Sequence, residues 1–179
     1  MDGRFLRLKR EPRILIALAG LHGSGKSVFA TLVKATLGRQ THNKRDLILA
    51  LSPRGHNQTK WYRALYQDYS SYQIMATLMG RLDRHAHTIL DSVHTVGEWR
   101  AIQELWPTSA LVAVVAPKTV RDSRNQFEDG NHDNAMRLAR WHDDNGCLMS
   151  EVDGCINGAA TPELQLAELT AVLEHRHSR

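Results

Sequence analysis

The sequence predicts an α/β fold, a three-layer sandwich of about five parallel strands with helices on both faces. Three observations lead there. An unbroken apolar run at residues 14–19 enters a glycine-rich stretch at 20–27, followed by apolar residues at helical spacing, Val28, Phe29, Leu32, Val33 and Leu37. A second uninterrupted run, residues 110–116, reads as another buried strand. Elsewhere, short apolar runs alternate with stretches of three- and four-residue periodicity, the order of repeated strand–helix units.

The first of these units carries the chemistry. Residues 20–27 read GLHGSGKS and fit G-x-x-x-x-G-K-[ST], the phosphate-binding P-loop. Strand, glycine loop, helix is the context this motif needs. Glycines let backbone N–H groups close around phosphate oxygens, and a helix N-terminus adds partial positive charge. Gly20, Leu21, His22, Gly23, Ser24, Gly25, Lys26 and Ser27 are therefore expected to cradle the phosphates of ATP. Lys26 should reach the β- and γ-phosphates, and Ser27 a Mg2+ ion.

The bulk numbers set the frame. A chain of 179 residues suits one domain with a sizeable core. Residues 1–12 are expected to be a basic tail. No apolar run reaches membrane-spanning length, and the run at 14–21 is too closely tied to the P-loop to be a signal peptide. Cys147 and Cys155 match no zinc spacing, and the simplest reading is a cytoplasmic protein with reduced thiols. The close pairs His85/His87 and His175/His177 lack the partner ligands of a metal site. Charge is uneven: residues 1–63 hold 13 Lys/Arg against 3 Asp/Glu, and the remainder 10 against 16. A basic half suits nucleic acid or small polyphosphates. With the P-loop in that half and no stacking aromatics interleaved, small nucleotides are the better fit.

Further along, Gly38 should stop the first helix. The run Leu47-Ile48-Leu49-Ala50-Leu51 is expected to be the second strand, ending in a turn at 52–55. Ligands gather at the carboxyl end of such strands, so Arg54 is a candidate for the acceptor's phosphate or else a solvated loop arginine. Asn43-Lys44-Arg45-Asp46 spells the N-K-x-D of guanine-reading GTPases but lies too soon after the P-loop to serve that purpose.

Residues 60–85 should be helical, with a break near 69–71. Thr88-Ile89-Leu90-Asp91 reads as a strand ending in an acid. A carboxylate there, beside strand one, holds Mg2+ in P-loop proteins, and Asp91 is assigned that role. Val96, Trp99, Ile102, Leu105 and Trp106 mark the next helix. After the strand at 110–116, Arg121 and Arg124 share a helical face. With Arg137 and Arg140 they bracket a polar loop, the layout of a lid over transferring phosphate at about 118–145. A weak strand at 152–156 precedes a last helix capped by Thr161, with Pro162 at its first position.

The whole pattern resembles the P-loop nucleoside monophosphate kinases, a group of P-loop NTPases, over about residues 13–174. The nearest members are the archaeal adenylate-kinase-like proteins and phage-type deoxynucleoside monophosphate kinases, with dephospho-CoA kinase nearby. Four stretches carry the likeness: GLHGSGKS; ILDSVHTVGEW, like the family's D-G-x-R-x-x-x-E; ALVAVVAPKTVRDSR at the lid entry; and SEVDGCINGAATPELQ near the end. The resemblance implies ATP and Mg2+ as cofactors, Asp91 and Glu98 as the strand-three acid and its companion, and Arg121 and Arg124 as catalytic lid arginines. His94 stands where the family has an arginine touching the acceptor, and His22 where it often has proline. His94 could hydrogen-bond a phosphate but carries a full charge only below its pKa, near neutrality.

The expected activity is phosphoryl transfer from ATP to a small nucleotide-like acceptor, most simply a (deoxy)nucleoside monophosphate. Two alternatives remain open from sequence: a nucleotide-binding regulatory protein with little catalysis, and a kinase acting on dephospho-CoA or nucleic-acid ends.

Overall fold

Strand β1 (Leu15–Ala19) lies at the middle of a five-stranded sheet, and every pairing in that sheet is parallel. The computed structural model describes residues 13–53, 58–125 and 146–177. The other strands are β2 (Gln40–Asn43), β3 (Thr88–Asp91), β4 (Ser109–Val115) and β5 (Gly154–Asn157), in the order β2-β3-β1-β4-β5. Each parallel neighbour needs a crossover, and helices lie in them: α1 (Lys26–Leu37), α2 (Lys44–Leu49), α3 (Gln58–Asp68), α4 (Ser71–Met79), α5 (Val96–Leu105) and α6 (Lys118–Asn125); α7 (Pro162–His177) follows β5.

Alternation along β1 divides the core in two. Leu15, Ala17 and Ala19 face a cluster built with Ile74, Met75 and Leu78 of α4 and with Trp99 and Ile102 of α5. Ile16 and Leu18 face Phe29, Ala30 and Val33 of α1 and Leu169 of α7. All five β1 residues are buried, which explains the absence of polar alternation in that run. Each fully buried Leu or Ile contributes about 1.5–3 kcal/mol of transfer free energy.

Local signals set several helix ends, although α4 stops at Met79, short of the expected 85, with Gly80 as its C-cap. Gly38 is left-handed (φ 61), and its N–H returns to the Lys34 carbonyl. Ser70 and Gln73 form a reciprocal capping box, which produces the break between α3 and α4. Thr95 accepts from the Glu98 N–H and starts α5. Gly97 lets α4 and α5 approach closely: a Cβ there would lie 2.7 Å from Ser71 Oγ.

One element differs from the sequence reading. Residues 47–51 are not the second strand. Leu47, Ile48 and Leu49 belong to helix α2, and the strand is the polar segment Gln40–Asn43 just before it. The reason is position: β2 lies at the sheet's edge, paired only with β3, and its residues are half-buried or exposed. Such a strand leaves little apolar signature. The apolar run instead wraps as one short helix that buries Ile48, with Leu47 and Leu51 packed against the same cluster. Short apolar runs suit strand or helix equally, and here Asn43 decides. Its side chain accepts the Arg45 N–H and caps α2. Asn43-Lys44-Arg45-Asp46 therefore spans the end of β2 and the first turn of α2.

Candidate functional site

The carboxyl ends of β1, β3 and β2 meet at one edge of the sheet, and the chemistry-bearing residues gather there. From β1 the chain enters residues 20–27. Gly20, Gly23 and Gly25 all have positive φ (134, 74 and 100), values that favour glycine. At Gly20 a Cβ would also lie 2.2 Å from the Val114 carbonyl oxygen. The loop is thus pressed onto the sheet before it opens into α1, whose N-terminus adds its dipole.

Lys26 begins α1 and folds back across the loop. Its Nζ donates to the Gly20 and Leu21 carbonyls, each at 2.9 Å. Its side chain is nearly buried, and burial pulls its pKa down; Asp91 opposes that shift and Lys44 adds to it. Ser27, one residue on, donates from Oγ to Asp91 Oδ2 at 2.7 Å. Asp91 is the last residue of β3 and is buried. Strand β3 lies beside β1, in register from Leu15 opposite Thr88 to Leu18 opposite Asp91. That register brings residues 64 apart in sequence into one hydrogen bond. A hydroxyl and a carboxylate side by side are hard oxygen donors of the kind Mg2+ takes, so the residues present fit that ion.

After Asp91 the backbone turns sharply. Ser92 is left-handed (φ 77), a conformation costing about 1–2 kcal/mol for an L-residue, in the place where the resembled pattern D-G-x-R has glycine. His94 then lies buried, and its backbone N–H donates to Glu98 Oε2 at 2.8 Å. Burial, then the charges of Lys44 and Lys26, push the His94 pKa far below the ordinary imidazole range. Its side chain is neutral at physiological pH.

Glu98 has a second partner that the sequence did not single out. Lys44, the first residue of α2, donates from Nζ to Glu98 Oε1 at 2.8 Å, and both side chains are buried. Tyr66 of α3 is close enough for the Glu98 charge to help burial raise its pKa. The only hint available from sequence was the departure at position 94, which leaves the acceptor side short of a cation.

On the opposite side, α6 brings Arg124 over the loop. Its guanidinium donates from Nη1 to the Gly23 carbonyl and from Nη2 to the Gly158 carbonyl, both at 3.0 Å. Gly158 itself touches the loop, since a Cβ there would sit 1.9 Å from the Ser24 carbonyl oxygen. Arg121 turns to the Ala116 carbonyl, with Nε at 3.2 Å, and does not reach the loop.

The site residues read from sequence therefore divide. Residues 20–27, Asp91, His94 and Arg124 gather beyond the carboxyl ends of β1 and β3, whereas Arg121 turns to the Ala116 carbonyl. Arg54, Arg137, Arg140, the lid beyond Asn125 and the basic tail at 1–12 lie outside the described residues. The argument that placed Arg54 at a strand's carboxyl end no longer applies, because β2 ends at Asn43. Among the described residues no three His, Cys, Asp or Glu side chains gather as a metal cluster. None of the described helices is long and apolar enough to cross a membrane. Cys147 and Cys155 are free thiols.

No family model matches the chain. It is 27% identical over 118 residues to a UPF0200 protein of Aeropyrum pernix, covering 63% of each sequence. The match thus spans less than two thirds of that relative's length. Among solved structures, an unliganded sugar kinase from Janibacter superposes with a TM-score of 0.61 at 17% identity, covering 90% of this chain and 94% of that one. Shikimate kinase from Aquifex aeolicus gives 0.56 at 16%, covering 91% and 98%. Shikimate kinase from Acinetobacter baumannii, in complex with shikimate, gives 0.61 at 14%, covering 91% and 93%. At these identities the likeness is one of architecture: the chain has the P-loop kinase fold.

Proposed function

We propose that this chain transfers the γ-phosphoryl group of ATP, with Mg2+, to a small nucleotide-like acceptor, a (deoxy)nucleoside monophosphate being the first candidate. The observation that carries the reading is the meeting of Lys26, Ser27 and Asp91 at the carboxyl ends of β1 and β3. The fold shared with sugar and shikimate kinases supports it. In the transfer, an acceptor oxygen bonds to the γ-phosphorus as the β–γ bridge bond breaks, and ADP keeps the electron pair.

The chain's contribution is positioning and charge. Residues 20–25 hold the donor phosphates by backbone N–H groups, and the Lys26 ammonium meets negative charge on the oxygens in transfer. Ser27 and Asp91 would hold Mg2+, which when bound screens the β- and γ-phosphate oxygens. Arg124, bonded to the Gly23 carbonyl of the loop, would meet the transferring phosphate, and Arg121 on the same helix is the second lid arginine of this reading. His94 belongs to the acceptor side. We take the chain as one kinase domain working in the cytoplasm.

A second reading is a nucleotide-binding protein with little turnover. What favours it is the neutral His94 where the resembled pattern carries an arginine. The test is ADP release with AMP, CMP, UMP, GMP, their deoxy forms and dephospho-CoA. Stimulation by one acceptor supports the kinase; tight ATP binding with no stimulation by any supports the second reading.

A further inference from the structure

The acceptor side of the cleft lacks the expected arginine but holds an unexplained buried cation. Lys44 is 4% exposed and Glu98 2%, and their ion pair spans 2.8 Å. Burying two charges costs several kcal/mol per ion before their attraction is counted, and apolar replacements are often neutral or better for stability. Stability alone is therefore a weak account of the pair.

Its placement gives a better one. Lys44 follows the carboxyl end of β2 directly, and β2 neighbours β3, where Asp91 ends the strand. The ammonium is near enough to influence the titration of both Lys26 and His94. Glu98 uses its two oxygens separately: Oε1 takes Lys44, and Oε2 takes the His94 N–H. One carboxylate thus fixes the lysine and the loop after β3 together. Burial does not exclude contact with a ligand, since Lys26 is also only 8% exposed and belongs to the phosphate loop. An ammonium has three donors, and the pair with Glu98 uses one of them.

We propose that Lys44, held in place by Glu98, supplies the acceptor-side positive charge that His94 does not, and so selects an acceptor carrying an anionic group next to the oxygen that is phosphorylated. This rests on the kinase reading above and deepens it. The cation would come from the start of α2 rather than from the loop after β3. The anionic group is a phosphomonoester or a carboxylate; a neutral polyol does not suit this side of the cleft.

The experiment is calorimetric titration of the full chain, preloaded with Mg2+ and the non-hydrolysable adenosine β,γ-imidotriphosphate. AMP, dCMP, shikimate and glucose are the acceptor probes. Lys44→Met alone leaves Glu98 unpaired and invites misfolding, so Lys44→Met/Glu98→Gln, which removes both charges, is measured beside it. The amide oxygen that replaces the carboxylate can still accept the His94 N–H. At least one anionic probe should bind the wild type, and the double variant should bind it about 10- to 100-fold more weakly, the worth of a hydrogen bond to a charged group. Lys44→Arg should recover part of the loss, and affinity for the ATP analogue should stay within about twofold. The proposal is overturned if glucose binds in preference, if no anionic probe binds the wild type, or if the double variant binds the anion as tightly. Turnover of the same proteins with ATP in place of the analogue reports separately on the kinase reading, because the binding result does not depend on it.

Discussion

Ser27 Oγ donates to Asp91 Oδ2 across 2.7 Å, joining the first turn of α1 to the last residue of β3. The bond exists because β1 and β3 are parallel neighbours whose carboxyl ends coincide. Two oxygen donors so placed are of the kind that Mg2+ takes.

Asp91→Asn should therefore remove the magnesium dependence of nucleotide binding. Wild-type affinity for ATP should drop when Mg2+ is chelated with EDTA. In Asp91→Asn, affinity in Mg2+ should fall by about tenfold, the loss of one charge-assisted contact, toward the chelated value. Fluorescence titration with a labelled ATP in both buffers checks this. An unchanged Mg2+ response in the variant would remove Asp91 from the metal site.

Gly158 and the P-loop touch backbone to backbone. A Cβ at 158 would stand 1.9 Å from the Ser24 carbonyl oxygen and 2.9 Å from Val114 Cγ1. No side-chain rotation relieves the first contact. Gly158→Ala should cost about 1–3 kcal/mol of stability by overpacking. It should also lower turnover by up to about 10²-fold through a displaced loop. Gly38→Ala is the control: nothing lies within 4 Å of its Cβ, so it should lose only the 1–2 kcal/mol or so of left-handed strain and leave turnover alone. Thermal melts and initial rates on both variants separate the two outcomes.

His94 gives stability a sign on the acid side. Its folded pKa lies below its unfolded value, so on acidification the unfolded chain takes up a proton that the folded chain refuses. The contribution is complete above the unfolded value, about 6.5, and is lost as pH falls below it, by up to about 1.4 kcal/mol per pH unit. His42, also shifted down by burial, acts in the same direction. Urea unfolding between about pH 7 and about pH 5 should show this slope, and His94→Gln should make it shallower. An unaltered slope in the variant would place a charged histidine in the folded protein.

What the sequence made legible was local or buried. The P-loop announces itself because glycine, lysine and serine occur at fixed spacing between an apolar strand and a helix, and Asp91 because it closes a short apolar run. Gly38, Thr161 and Pro162 mark helix ends through their own chemistry. The second strand was not legible. Gln40–Asn43 is an edge strand with no apolar face, while the run at 47–51 imitates a buried strand and folds as α2. Arg54 followed that error, having been inferred from where the run ends. The Lys44–Glu98 pair was hidden differently. Its members are 54 residues apart, and only the parallel pairing of β2 with β3 brings the starts of α2 and α5 together. Nothing in the spacing of a lysine and a distant glutamate marks such a pair.

The central claim is that Lys26 serves transfer of phosphate from ATP to a second substrate. The most direct measurement is passage of label from γ-32P-ATP to the best acceptor of the panel, in wild type and Lys26→Ala, at saturating nucleotide. The account predicts labelled acceptor from the wild type and a loss of at least about 10²-fold in the variant, the scale for removing one preorganised charge contact. Equal transfer by both proteins, or labelled inorganic phosphate with no labelled acceptor from the wild type, would contradict it.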